Sequence, residues 1–161
     1  MREYHLIEPV YNQDSRILIL GSFPSVKSRA GNFFYHHPQN RFWKILSNLY
    51  NYQPLETIIE KKQFLLEHKI AVWDVIASCE ITGSSDSSIK NITINDLEKI
   101  INESKITHIY TNGNLADKLY HQYFDNKISL PVTKLPSSSP ANATYSLDKL
   151  INCWNVIKID E

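Results

Sequence analysis

Cysteine is scarce in this chain, and what is missing alongside it narrows the chemistry. Of 161 residues only Cys79 and Cys153 carry a thiol, far apart and flanked by apolar side chains. Two cysteines cannot ligate an iron–sulfur cluster by themselves, no Cys/His spacing typical of zinc occurs, and reduced, partly buried thiols fit better than a disulfide. No metal and no other cofactor is therefore expected. Net charge is missing too: 17 Lys+Arg balance 17 Asp+Glu. The basic excess of a nonspecific polyanion binder is absent, so any nucleic-acid contact must be local. No apolar run approaches the roughly 20 residues that span a bilayer, and the N-terminus lacks a signal-peptide pattern. A soluble, cytoplasmic protein with no membrane association is expected. The four glycines form neither a phosphate-binding loop nor a dinucleotide fingerprint. There is no internal repeat and no linker, and the length suits one well-filled core, so residues 1–161 are expected to form a single domain.

What is present reads as alternating strands and helices. Arg16-Ile-Leu-Ile-Leu20 is continuously apolar and ends at Gly21, the pattern of a strand buried on both faces. Phe42, Ile45, Leu46 and Leu49 recur at helical spacing, so a helix starts at about Asn40. The long stretch between them, Gly21 to Asn40, is a loop of the length that tends to be functional. Ile70-Ala-Val-Trp73, Thr107-His-Ile-Tyr-Thr111 and Pro131-Val-Thr-Lys-Leu135 read as three further strands, the last at a sheet edge, where Pro is tolerated. Helical patterns run from Leu55 to Leu66, from an Asn95 N-cap with Glu98 through Ile101, from Leu115 to Tyr123, and from Leu147 to Trp154. Residues 1–15 carry only a weak pattern of a short strand or covering arm. Four strands, each followed by a helix, predict an α/β fold: a single-domain three-layer α/β/α sandwich with a central four-stranded parallel sheet. All post-strand loops then open on one edge, gathering Gly21–Asn40, Asp74–Ser88, Asn112–Asn114 and Pro136–Asn142 into one cleft.

Three of these segments carry more than polarity. G-S-F-P-S with Y-H-H-P-Q-N-R-F-W, then W-D-V-I-A-S-C-E-I-T-G-S-S-D-S-S-I, and finally L-P-S-S-S-P-A-N follow in order, each just past a strand. In these segments the chain resembles the uracil-DNA glycosylase superfamily and, within it, the hypoxanthine (deoxyinosine) DNA glycosylase branch. The resemblance implies a base-excision repair enzyme that flips a deaminated base, above all hypoxanthine, out of DNA and hydrolyses its N-glycosidic bond to leave an abasic site. It implies a monofunctional, metal-free hydrolase, acting as a monomer on DNA that contains a deaminated base, in the cytoplasm at a bacterial-type nucleoid. No lysine lies inside the matched segments, which disfavours Schiff-base lyase chemistry. Two other readings compete: the same enzyme preferring uracil or xanthine, and a damage-binding protein that no longer cleaves, since Phe23 and Leu135 stand where sister branches carry polar groups.

The resemblance also distributes roles. Gly21, Ser22, Phe23, Phe34, Tyr35 and Asp74 are expected at the base. Tyr35 occupies the place of a stacking aromatic, with Phe34 able to serve if the loop twists; the alternative is that such aromatics fill the core. Mismatch-specific relatives hold the attacking water on an Asn where this chain has Phe23, and the role passes to Asn40 of H-P-Q-N. An amide takes no proton at neutral pH, so Asn40 is expected to orient water through its carbonyl oxygen, a positional role. It equally suits a helix cap, and the roles can coexist. Asp74 either accepts the N1–H of hypoxanthine or caps the next turn. Ser25, Lys27, Arg41, Ser137, Ser138, Ser139 and Asn142 are expected at the DNA backbone, with Pro140-Ala-Asn142 as a wedge and Lys27, Arg29, Arg41 and Lys44 as a local positive face. A plain turn suits the serines as well. His36 and His37 are possible acids, but loop histidines are often structural.

Overall fold

A computed structural model describes residues 2–158 of the chain. Its elements in chain order are β1 (Arg2–Tyr4), β2 (Ile17–Gly21), α1 (Val26–Gly31), α2 (Phe42–Leu49), α3 (Ile58–Glu67), β3 (Ile70–Asp74), β4 (Ile76–Glu80), β5 (Lys90–Ile94), α4 (Leu97–Asn102), β6 (His108–Asn112), α5 (Asn114–Phe124), β7 (Val132–Leu135) and α6 (Leu147–Trp154). Short 3₁₀ turns follow at Asp86–Ser88 and Asn155–Ile157.

Every residue of β2 is buried, which requires cover on both faces of the sheet. Ile17 and Ile19 pack with Phe42, Ile45 and Leu46 of α2, Phe64 of α3 and Trp154 of α6. Leu18 and Leu20 pack on the other side with Leu97 and Ile100 of α4 and Leu119 and Tyr120 of α5. The result is the expected three-layer sandwich. Its central sheet has the order β3-β2-β6-β7, parallel throughout, with β7 at an edge.

Register decides where a site can form. Gly21 pairs with Asp74, Leu20 with Thr111, and Asn112 with Leu135, so the carboxyl ends of all four strands stand abreast. From β2 the chain continues to β3 on one side, whereas β6 and β7 lie on the other. The loops part at this reversal and leave a crevice above Gly21 and Asn112.

A second sheet departs from the sequence reading. The segment from Asp74 to Ser88 is not a loop throughout: it contains β4, which joins β1 and β5 in a three-stranded antiparallel sheet of order β1-β4-β5. Ile76-Ala-Ser-Cys-Glu80 has too mixed a pattern to announce a strand, and one of its partners stands at the other end of the sequence. The chain passes between sheets at Val75. There Val75 N–H donates to Gly21 O (2.9 Å) and Ile76 N–H to Ser22 O (3.0 Å), extending the pairing with the β2 segment across the junction. Asn95 holds this junction instead of capping α4. Its Nδ2 donates to Asp74 O (2.9 Å) and Ile76 O (3.3 Å), while Asp96 caps α4 by accepting from Lys99 N–H.

The weak N-terminal pattern becomes a defined arm. His5 N–H donates to Ala77 O (2.7 Å), and Val10 exchanges two hydrogen bonds with Val72 (3.1 and 3.0 Å), so the arm runs along the outer edge of β3 and β4 and closes it.

Asn95→Ala strips a shared donor from two buried carbonyls and is expected to lower unfolding stability by about 1–3 kcal/mol in a urea titration. Asn95→Asp, which cannot donate, should not restore it.

Candidate active site

The cavity above the strand ends measures about 760 Å³ and is lined by Gly21, Tyr35, Asn40, Asp74, Asn112 and Leu135 among others. That volume falls within the range of small-molecule pockets, about 300–1,000 Å³. Its floor depends on a missing side chain. A Cβ on Gly21 would stand 2.3 Å from Asp74 Oδ1 and 3.0 Å from the Tyr35 hydroxyl, so only hydrogen fits there. Asp74 is only 3% exposed. Its Oδ1 lies over Gly21, and its Oδ2 receives Nε2–H from His5 at 2.7 Å. His5 Nδ1 accepts from Ile7 N–H (3.1 Å), which places the imidazole proton on Nε2. Asp74 is thus a wall of the cavity; the histidine behind it was not visible in the sequence.

The aromatic run splits by role. Tyr35 adopts φ 51°, a left-handed conformation rare for an aromatic residue, and strained residues of this kind cluster at functional sites. Its ring stacks on Phe42, with centroids 4.0 Å apart and planes at 17°, and borders the cavity. Its hydroxyl is buried without a hydrogen-bond partner. Burial first, and then the Asp74 charge, push that phenol well above the usual tyrosine range, so the hydroxyl keeps its proton. Phe34 corrects the expectation placed on it. It is 1% exposed, packs edge-on against His5, and offers nothing to the cavity except through its carbonyl, which anchors Trp43 Nε1 (3.2 Å). Phe23 does line the cavity, beneath the Arg29 guanidinium, which lies 5.3 Å from the ring centroid.

Three loops meet through one hydroxyl. Ser138 is fully buried. Its Oγ donates to Asn40 Oδ1 (2.9 Å) and accepts from Asn112 Nδ2 (3.0 Å), while Ser138 N–H donates to Asn112 Oδ1 (3.0 Å). Asn40 Oδ1 also accepts from Phe42 N–H (3.0 Å), the first N–H of α2, although the N-cap position itself is Arg41. This corrects two expectations. Ser138 is an internal bridge, not a hydroxyl turned to a phosphate. The Asn40 carbonyl has both lone pairs engaged, so its amide Nδ2 is the group left for the cavity. Asn112 enters the site from the end of β6; the sequence places Asn112–Asn114 in the cleft but gives this side chain no role there.

The rim is built inward as well. Arg41 donates to the carbonyls of Tyr145, Ser139 (2.7 Å) and Asn142 (3.0 Å), so it clamps the loop after β7 and is not a free cation for DNA. Ser137 Oγ accepts from Ser139 N–H, Ser139 Oγ from Ala141 N–H, and Asn142 Nδ2 donates to Ser137 O, each at 3.1 Å. All three residues border the cavity, but their side chains shape the turn. Ser22 and Ser25 also line it, the latter while capping α1. Arg29 donates to Gly83 O (2.8 Å) and pairs with Glu3 (3.3 Å), so two of the four cations expected to form a positive face are bound internally. Lys27 and Lys44 remain exposed, neither of them lining the cavity. Lys134 does line it, one residue ahead of the third matched segment, where the motif boundary hid it. His36 packs against Gly31, and His37 Nδ1 accepts from Gln39 N–H; neither lines the cavity. Among the described residues no group of three or more His, Cys, Asp or Glu side chains is placed to hold a metal ion, and no helix is long and apolar enough to cross a membrane. Cys79 and Cys153 are free thiols.

Comparison with known proteins places this cavity in a context. A family profile described as "Uracil DNA glycosylase superfamily" matches residues 8–159. A hypoxanthine DNA glycosylase of Methanosarcina acetivorans is 32% identical over 148 residues, covering 87% of this chain and 89% of the relative. A second, from Methanosarcina barkeri, is 35% identical over 89 residues, 54% of this chain and 56% of that one. A solution NMR structure from Methanosarcina acetivorans, described as a candidate uracil DNA glycosylase, superposes with a TM-score of 0.83 at 28% identity over 98% of this chain and 96% of that one.

Ser138→Ala leaves the Asn112 amide without its buried acceptor and removes one of two donors from Asn40. The expected loss is about 1–3 kcal/mol of unfolding free energy. Ser139→Ala, in a half-exposed turn, should cost less in the same urea titration.

Proposed function

The chain belongs to the uracil DNA glycosylase superfamily, and from that premise we propose that it is a monofunctional DNA glycosylase that takes a deaminated base, hypoxanthine above all, into the cavity and hydrolyses its N-glycosidic bond. The observation that carries this reading is the convergence of Tyr35, Asn40 and Asp74, from two separate segments of the sequence, on one cavity.

Each group has chemistry suited to the task. A flipped base needs a stacking surface and partners for its edge. Tyr35 supplies an aromatic face backed by Phe42. Asp74 Oδ1 supplies an acceptor for a ring N–H, which hypoxanthine has at N1 and adenine lacks. Bond breaking places positive charge on the sugar and negative charge on the departing base. A buried carboxylate at the base edge disfavours an anionic leaving group such as uracil. Hypoxanthine protonated at N7 leaves as the neutral base, so the same carboxylate opposes its departure less. Leu135, 1% exposed at the cavity wall, brings no electrophile that would offset the difference for uracil. Asn40 acts by donation: its Nδ2 holds a water by the oxygen, ready for a sugar cation already formed, where placement matters more than proton removal. Lys134, exposed where it borders the cavity, and Lys27, exposed on α1, meet the flanking phosphates, while Arg41 holds the backbone of the Ser137–Asn142 turn.

The test uses purified protein with chelator present, on matched duplexes carrying one deoxyinosine, uracil or xanthine, with abasic sites then cleaved by alkali. Inosine-dependent strand breaks are expected. Asn40→Ala should slow single-turnover excision on the order of a hundredfold or more while DNA binding is kept. Asn40→Asp, which keeps the oxygen contacts but replaces the donor with a second acceptor, should be equally slow. Cleavage of uracil alone would overturn the substrate assignment. No cleavage together with tight damage-specific binding would replace the enzyme with a binding protein.

A further inference from the structure

His5 lies outside the stretch matched by the family profile, which begins at residue 8, yet its ring reaches the cavity wall. We propose that His5 is a positioning residue that holds Asp74 as a fixed hydrogen-bond acceptor and thereby selects bases that present a ring N–H. This rests on the reading of Asp74 as a contact to the flipped base.

The geometry leaves His5 one hydrogen-bonding role. Its backbone is pinned to β4 through Ala77 O, and its ring stands edge-on between Phe23 (6.1 Å, 82°) and Phe34 (5.8 Å, 69°). The His5 side chain is 0% exposed and that of Asp74 4%. Ile7 N–H occupies Nδ1, so the single N–H of the neutral imidazole points from Nε2 to Asp74 Oδ2 at 2.7 Å. A carboxylate in so closed a site needs a donor on each oxygen. Oδ2 has His5. Oδ1 stands over Gly21, against the cavity, and has no hydrogen-bond partner among the described residues. With its plane fixed by His5, Oδ1 is left to accept from the ligand.

The chemical consequence is a filter. Hypoxanthine and xanthine offer N1–H, and uracil offers N3–H. Adenine and cytosine present a lone pair at the corresponding atom, which the carboxylate oxygen repels. The contact therefore separates deaminated adenine and cytosine from their parents. It does not reject guanine, whose N1 also carries a proton, so rejection of guanine falls to the space around its 2-amino group.

The test measures equilibrium binding to three duplexes: one with a non-cleavable 2′-fluorinated deoxyinosine, one with adenine at the same place, and one with a tetrahydrofuran abasic site. His5→Leu is expected to weaken binding of the inosine duplex by about tenfold or more, to erase its advantage over the adenine duplex, and to leave abasic-site binding unchanged. His5→Gln, whose amide N–H reaches the position of Nε2, should retain the preference. In the unaltered protein, long-range ¹H–¹⁵N spectra should show the His5 proton on Nε2, a readout independent of how the variants fold. The proposal is overturned if His5→Leu keeps the inosine preference, if binding to inosine and abasic duplexes falls in parallel with no rescue by His5→Gln, or if the proton sits on Nδ1. If the unaltered protein shows no inosine preference and no excision, the functional reading fails and this inference falls with it; if it excises inosine and His5→Leu is indistinguishable from it, only this inference fails.

Discussion

The hydroxyl of Ser138 holds the site together. It is fully buried, and its two hydrogen bonds join an amide at the start of α2 to an amide at the end of β6. A buried hydroxyl is tolerated only when satisfied, and here each partner is itself committed: Asn40 to the first free N–H of a helix, Asn112 to the backbone of the loop after β7. Loss of any member exposes the others to an unsatisfied interior. The loop after β2, the end of β6 and the loop after β7 consequently have one relative arrangement, and it is the arrangement that faces the Asn40 amide to the cavity.

Beneath that network the parallel register does a coarser job. Gly21, Asp74, Asn112 and Leu135 end their strands side by side, so the groups at the floor are set by sheet hydrogen bonding and not by flexible loops. The absence of a side chain at Gly21 leaves room over the backbone for both the Asp74 carboxylate and the Tyr35 hydroxyl.

The charges of the site explain how a chain with no net charge serves a polyanion. Arg29 and Arg41 are directed to carbonyls of neighbouring loops, which gives the rim its shape. Of the remaining cations Lys134, exposed, borders the cavity, and Asp74 lies buried inside it. Positive charge thus stands at the mouth and a carboxylate at the floor. Contacts to a phosphate backbone position a duplex without reading its sequence, so a local cation suffices where the chain as a whole carries no net charge.

The sequence by itself determined the sandwich, because an apolar run such as Ile17–Leu20 can be buried only between two helical layers and its periodicity is local information. It also marked Tyr35, Asn40 and Asp74, since each stands just past a strand in a segment with a recognisable order of residues. What it could not disclose is which atoms those residues have free. Asn40 reads as a carbonyl for water until Ser138, distant in the chain, occupies that oxygen. Phe34 and Tyr35 are neighbours with the same aromatic character, and only the left-handed turn at Tyr35 sends one ring to the cavity and the other to the core. β4 and Asn95 acquire their roles from pairing with the opposite end of the chain and from the bend at Val75. His5 is the extreme case: nothing in its local pattern distinguishes it, and the arm that carries it reaches Asp74 only because sheet pairing lays the arm along β4. Long-range hydrogen bonds settled these points, and such bonds leave no periodic trace in a sequence.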